Sequence, residues 1–196
     1  DDEADSLRHA EGEDGRMVRR VDGDVGRHRR RVVYDHTVGL DARPPGSAVE
    51  LVVVHGISLP PDQYGGGWIE RFFCGNLPAD AHPYFATIAT LKVSAHALIG
   101  RDGTVTQFVP FQGRAWHAGV SSWQGREQCN DYSIGIELEG GDETPYADAQ
   151  YRSLAGLLRA LFDAYPGLAP ERVVGHSDVA PGRKSDPGPA FDWARL

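Results

Sequence analysis

Beyond Val49 the alternation of apolar and polar positions becomes regular enough to read as structure. Leu51, Val52, Val53 and Val54 form an unbroken apolar run closed by His55, which predicts a strand buried on both faces. The stretch GGGWIERFFCG (65–75) predicts a short helix after a glycine-rich loop. Next, VSAHALI, the turn GRDG and TVTQFVP (93–110) predict two strands of a hairpin. In YSIGIELEG (132–140) the alternation is strict, with Ile134, Ile136 and Leu138 on one face and Gly135, Glu137 and Glu139 on the other. From about Tyr146 to Tyr165 the period changes. Tyr151, Leu154, Leu158, Leu161 and Tyr165 recur at three and four residues, a helix stopped by Pro166-Gly167. ERVVGH (171–176) predicts a last strand ending in His176, and the tail SDVAPGRKSDPGPAFDW (177–193) a loop ordered by what it binds. Elements mixed in this way predict one α/β (α+β) domain, a central mixed β-sheet flanked by helices.

Residues 1–33 lack this periodicity. An acidic opening, DDEADSLRHAEGED, gives way to the arginine-rich RMVRRVDGDVGRHRRR. A disordered charged arm is expected there, with the folded domain over 34–196. The arm reads either as an electrostatic hold on something acidic or as a solvated tail. The net charge of -8 argues against nucleic-acid binding as the main function. No apolar run approaches the roughly 18 residues of a membrane span, so no membrane partner is expected. No charged start followed by an apolar stretch is visible either, which points to a cytoplasmic location. The two cysteines, Cys74 and Cys129, are too few for a disulfide framework and read as reduced thiols. Nothing in the pattern speaks to oligomeric state.

Candidate chemistry gathers at the ends of the predicted strands. His55 and His176 each close one, and Asp186 follows ten residues after His176. Two histidines and an aspartate make a three-ligand set with an open fourth position, as catalytic zinc requires. The spacing is not diagnostic, and each histidine read alone is more often a surface or structural residue. Glu137 lies in an otherwise apolar strand, either as a general base beside a metal or as the solvent side of an edge strand. Lys184 sits two residues before Asp186, so a ligating Asp186 would bring a cation beside the site, suited to an oxyanion. Only two lysines occur, Lys92 and Lys184, against many arginines.

Four segments, VVVHGISLPPDQYGGGWI, VSAHALIGRDGTVTQFVPF, RAWHAGVSSWQGREQCNDYSIGIELEG and VVGHSDVAPGRKSDPGPAFDW, closely resemble the AmpD-type N-acetylmuramoyl-L-alanine amidases. These belong to the zinc amidase group that includes phage T7 lysozyme and the peptidoglycan recognition proteins. The resemblance runs from about Leu40 to Leu196. It implies a Zn2+ site at the sheet rim held by His55, His176 and Asp186, with Glu137 as proton acceptor and Lys184 as transition-state stabiliser. It implies a muropeptide substrate, an anhydro-muramyl peptide recycled in the cytoplasm of a Gram-negative bacterium. Trp116 would line the substrate groove, and His96 and His117 would stand behind the ligands or along the groove. The chain departs from the family at Gly56, where Asn is frequent, and at Lys92 and Gln128, where Arg is frequent. Those two positions would face the peptide's diamino-acid carboxylate, so peptide selectivity is expected to differ. A non-catalytic peptidoglycan-binding module on the same fold and a lytic amidase of intact wall are the rival readings.

Overall fold

Five strands build the sheet around the site: Leu51–Ile57 (β1), Ala97–Ile99 (β2), Val105–Gln107 (β3), Ser133–Glu139 (β4) and Val173–Gly175 (β5). In this computed structural model the spatial order is β3-β2-β4-β1-β5, and the sheet is mixed. β1, β4, β5 and β2 run parallel, while β2 and β3 pair antiparallel. The structure describes residues 36–196 and, beyond β3, the three short strands His9–Glu11, Met17–Arg19 and Arg30–Val32. The rest of the arm expected over residues 1–33 lies outside the described residues.

The apolar run of β1 is explained by burial on both sides. Val52 and Val54 pack with Ile134, Ile136 and Leu138 of β4 under helix Asp148–Ala164. Leu51 and Val53 pack on the opposite face with Ala118, Cys129, Tyr132 and Val179. Three further helices are Trp68–Phe73, Pro83–Ile88 and His176–Val179. In chain order the four are α1 (Trp68–Phe73), α2 (Pro83–Ile88), α3 (Asp148–Ala164) and α4 (His176–Val179). α3 has the predicted period, with Tyr151, Leu154, Leu158 and Leu161 buried against the sheet. Fully burying each such Leu contributes roughly 1.5–3 kcal/mol. Leu154 is wholly buried, so Leu154→Ala is expected to lower the unfolding free energy by about 2–5 kcal/mol, measured by urea titration of the far-UV signal.

The start of α3 is fixed by one buried polar side chain. Gln150 Oε1 accepts from Ala147 N at 3.0 Å, and its Nε2 donates to Ile99 O at 3.1 Å and Glu139 O at 3.0 Å. The helix is thereby tied to the last residues of β2 and β4. The turn between β2 and β3 is closed by Asp102, whose Oδ1 accepts from Thr104 N at 2.8 Å. Gly103 has φ +83°, and a Cβ there would come 2.9 Å from Ala149 O, so both backbone and packing require glycine.

The predicted hairpin is present with shorter strands than its apolar pattern covers. Helix α2 has no counterpart in the predicted elements. Phe85 is its one buried residue, so it shows no apolar period, and its signal is local. Pro83 occupies the first helical position, and His82 Nδ1 accepts from Tyr84 N at 3.1 Å as the N-cap. Among the described residues no helix is long and apolar enough to cross a membrane.

Candidate active site

β1 and β4 are in register so that His55 stands beside Glu137. Both belong to the face that carries Val53 and Gly135, away from α3, near the carboxyl ends of the parallel strands. Open α/β sheets commonly place their ligands there. The sequence pattern put each histidine at the end of a strand, and the structure corrects this. β1 continues through Gly56 to Ile57, and β5 stops at Gly175, so that His176 is the first residue of α4. Asp178 causes the change, its Oδ2 accepting from Gly175 N at 2.7 Å and starting the helix. Ser177 N in turn donates to Asp186 O at 3.0 Å, folding the proline-rich tail back onto α4.

That fold-back brings three side chains to one point. His55 Nδ1 and His176 Nδ1 are 2.9 Å apart, and Asp186 Oδ2 lies 3.2 Å from the first and 3.1 Å from the second. The other ring nitrogen of His176 donates to Ala118 O at 3.2 Å, which leaves the lone pair on Nδ1 facing the triangle. Tetrahedral bonds of ~2.0–2.1 Å separate ligand atoms by about 3.3 Å, so the donor set and its spacing fit a divalent metal site. No other such group of His, Cys, Asp or Glu occurs among the described residues.

Electrostatics follow from burial. Burial lowers the His55 pKa to about 4, against the opposing pull of the adjacent Asp186 carboxylate, so the ring is neutral at neutral pH. Burial pushes the Asp186 carboxyl up, but the adjacent His176 and His55 rings outweigh this and hold it below the usual carboxylate range. Glu137 goes the other way. Burial and then repulsion from Asp186 raise its pKa well above the ordinary value, while Lys184 opposes them. Its Oε1 is 4.0 Å from His55 Nδ1, and its buried Oε2 has no hydrogen-bond partner. A buried, unpartnered carboxyl oxygen is costly, and Glu137 lines a cavity beside the triangle rather than the core.

The cavity is about 810 Å³ and is lined by His55, Glu137, His176, Asp186, Lys184 and Trp116. A second, of about 900 Å³, is lined by Trp116, Lys92, Gln128, Arg183 and Lys184. Trp116 and Lys184 belong to both, so the two form one groove with the triangle in one half. Trp116 Nε1 is buried without a partner at the junction. Lys92 and Gln128 are exposed in the other half. All eight residues singled out in the sequence therefore lie along one groove, and His96 and His117 stand outside the triangle.

Residues 45–189 match the family model described as N-acetylmuramoyl-L-alanine amidase. The chain belongs to this family. It is 59% identical over 167 residues to the 1,6-anhydro-N-acetylmuramyl-L-alanine amidase AmpD of Escherichia coli strain K12, covering 85% of this chain and 89% of that relative. A crystal structure of a selenomethionine AmpD derivative superposes with a TM-score of 0.80 at 56% identity, covering 87% of this chain and 93% of that one. The amidase also matches E. coli AmiD in complex with the substrate anhydro-N-acetylmuramic acid-L-Ala-D-gamma-Glu-L-Lys. There the TM-score is 0.56 at 30% identity, over 79% of this chain and 59% of that one.

Three residues that shape the amidase's groove went unseen in its sequence. Arg183 Nη2 donates to Ala118 O and, at 2.7 Å, to Val120 O, strapping the Lys184 loop to the opposite wall. Asn130 Oδ1 accepts from His117 N at 3.1 Å and Ala118 N at 2.8 Å. Arg43 donates to four backbone carbonyls, of Asn130, Asp131, Phe111 and Ser133. Burial lowers its pKa to about 10, still leaving it charged.

Proposed function

We propose that the amidase is a cytoplasmic zinc enzyme that cleaves the bond between 1,6-anhydro-N-acetylmuramic acid and L-alanine in muropeptides released for cell-wall recycling. The observation that carries the reading is the His55–His176–Asp186 triangle with the unpartnered Glu137 carboxyl beside it in an open groove. The anhydro-sugar preference rests on the relatives, whose names specify that substrate.

His55, His176 and Asp186 would hold Zn2+. When bound, the ion supplies Lewis acidity that brings a water toward ionisation near pH 7 and polarises the scissile carbonyl. Glu137 receives the proton of the attacking water at its carboxylate and passes it to the departing amine of L-alanine. Its carboxylate form is favoured by positive charge in the site, which Lys184 supplies in part. Lys184, exposed at the lip, offsets the negative charge that develops on the carbonyl oxygen. Trp116 forms the wall where the two halves of the groove meet.

The peptide extends into the half lined by Lys92 and Gln128. Both are exposed, and neither presents the bidentate fork of an arginine. Lys92→Arg combined with Gln128→Arg is expected to lower KM for peptides carrying a diamino-acid carboxylate, with kcat little changed. A charge-assisted contact contributes roughly 1.5–3 kcal/mol when dry and less in this open groove. Steady-state kinetics decide it, and an unchanged or higher KM counts against this placement.

The reading is tested by product analysis on two substrates, anhydro-muropeptide and intact sacculi. Release of free peptide from the anhydro-muropeptide, much faster than from sacculi, is the expected result. Preference for sacculi would make the amidase a lytic enzyme of intact wall.

A further inference from the structure

We propose that His117, relayed through Ser133, fixes the tautomer and ring orientation of His55, making it a positioning residue for the metal site. The inference rests on the metal assignment made under the proposed function.

The chain of bonds has a fixed direction because it ends on an atom that only accepts. Ser133 Oγ lies 2.5 Å from Cys129 O, and a carbonyl oxygen has no proton to give, so the hydroxyl donates to it. Its single proton is then spent, and Ser133 Oγ accepts from His117 Nε2 at 3.0 Å. A neutral imidazole protonated at Nε2 carries its lone pair on Nδ1. His117 Nδ1 lies 2.9 Å from His55 Nε2 and accepts its proton. His55 Nδ1 is thereby left with a lone pair directed at His176 Nδ1 and Asp186 Oδ2. His176 reaches the same state in one step through Ala118 O. Both rings are thus set by backbone carbonyls, His176 directly and His55 through two intervening side chains.

The surroundings are built for this relay. A Cβ on Gly135 would lie 2.4 Å from His117 Cγ, so the strand residue beneath the ring has no side chain to displace it. His117 and Ser133 are both buried, and His117 meets His55 edge to face with 5.0 Å between ring centroids. Asn130 Oδ1 pins the backbone of His117 and Ala118 together, coupling the two anchors. Metal-binding histidines commonly donate their second N–H to a carboxylate, carbonyl or water. A neutral imidazole gives the same orientation without placing another negative charge in a buried pocket that already holds Asp186 and Glu137.

Two measurements test the relay. The first is zinc affinity by chelator competition. His117→Phe keeps a ring but removes the acceptor, and its zinc Kd is expected to rise about 10–100-fold. His117→Asn keeps an acceptor near the Nδ1 position and is expected to recover most of that loss. The second needs no variant: long-range proton–nitrogen NMR correlations on zinc-loaded wild type should place protons on Nε2 of both His55 and His117. A His117 protonated at Nδ1, or a folded His117→Phe protein with wild-type zinc affinity, overturns the relay while the metal assignment stands. A wild type that binds no zinc removes that assignment and the relay with it.

Discussion

Glu137→Ala is expected to keep its zinc and its fold and to lose about 10²–10⁴-fold in kcat, the usual contribution of a general base. Retention of fold follows from the local energetics. The Oε2 atom of Glu137 has no partner to orphan, and the side chain faces the groove, so no closed core cavity is left. In the metal-free protein the raised pKa means that ionising Glu137 opposes folding. Stability from this group is therefore present at low pH and falls as pH rises above the unfolded value of about 4.3. Glu137→Gln should accordingly melt no lower than wild type when both are metal-free at pH 7. Lys184→Ala is expected to reduce kcat by a comparable factor with substrate affinity nearly unchanged. The double variant should lose less than the product of the two, since both groups act on one transition state. Steady-state kinetics, with zinc content measured for each protein, decide between these outcomes. Normal kcat in zinc-loaded Glu137→Ala would remove Glu137 from the chemistry.

The second large effect is expected from His176→Ala, which should lose zinc and turnover together. Removing one of three ligands should raise the zinc Kd beyond the 10–100-fold typical of a change behind the ligands. The structural cost should be modest, because Ala118 O, left by the His176 ring, keeps Arg183 Nη2 as a donor. Elemental analysis after gel filtration, with circular dichroism for the fold, separates metal loss from misfolding. A folded His176→Ala protein with full zinc and normal activity would exclude His176 as a ligand.

The elements that carry the groove were legible where burial imposes a pattern. β1 reads as an apolar run because Val52 and Val54 face α3 while Leu51 and Val53 face the opposite core. β4 alternates because one face packs under α3 and the other turns Gly135 and Glu137 toward the site. α2 was not legible, since its signal is only the Pro83 start and the His82 cap, without an apolar cluster such as Ile69, Phe72 and Phe73 give α1. The start of α4 depends on a single bond from Gly175 to Asp178, which no apolar pattern encodes.

The site is harder to read from spacing, because the sequence separation of its parts carries no information about their meeting. His55 and His176 lie 121 residues apart and come together through the parallel pairing of β1 with β5. The residue pattern offered them only as candidates, and the family resemblance joined them to Asp186, Glu137 and Lys184. Arg43, Asn130 and Arg183 escaped both routes for a common reason. Their partners are backbone atoms, which every residue possesses, so the contact leaves no complementary residue type in the sequence. The relay through His117 and Ser133 likewise ends on a carbonyl, and its direction is visible only once that endpoint is located.

The account's central claim is that a zinc ion at the His55–His176–Asp186 triangle drives amide hydrolysis. Stripping the wild-type amidase with a chelator, returning zinc in fractional equivalents and following peptide release from anhydro-muropeptide tests it directly. The stripped protein should be inactive, and activity should rise linearly to a plateau at about one zinc per chain. Undiminished peptide release from protein shown to be free of metal would contradict the claim.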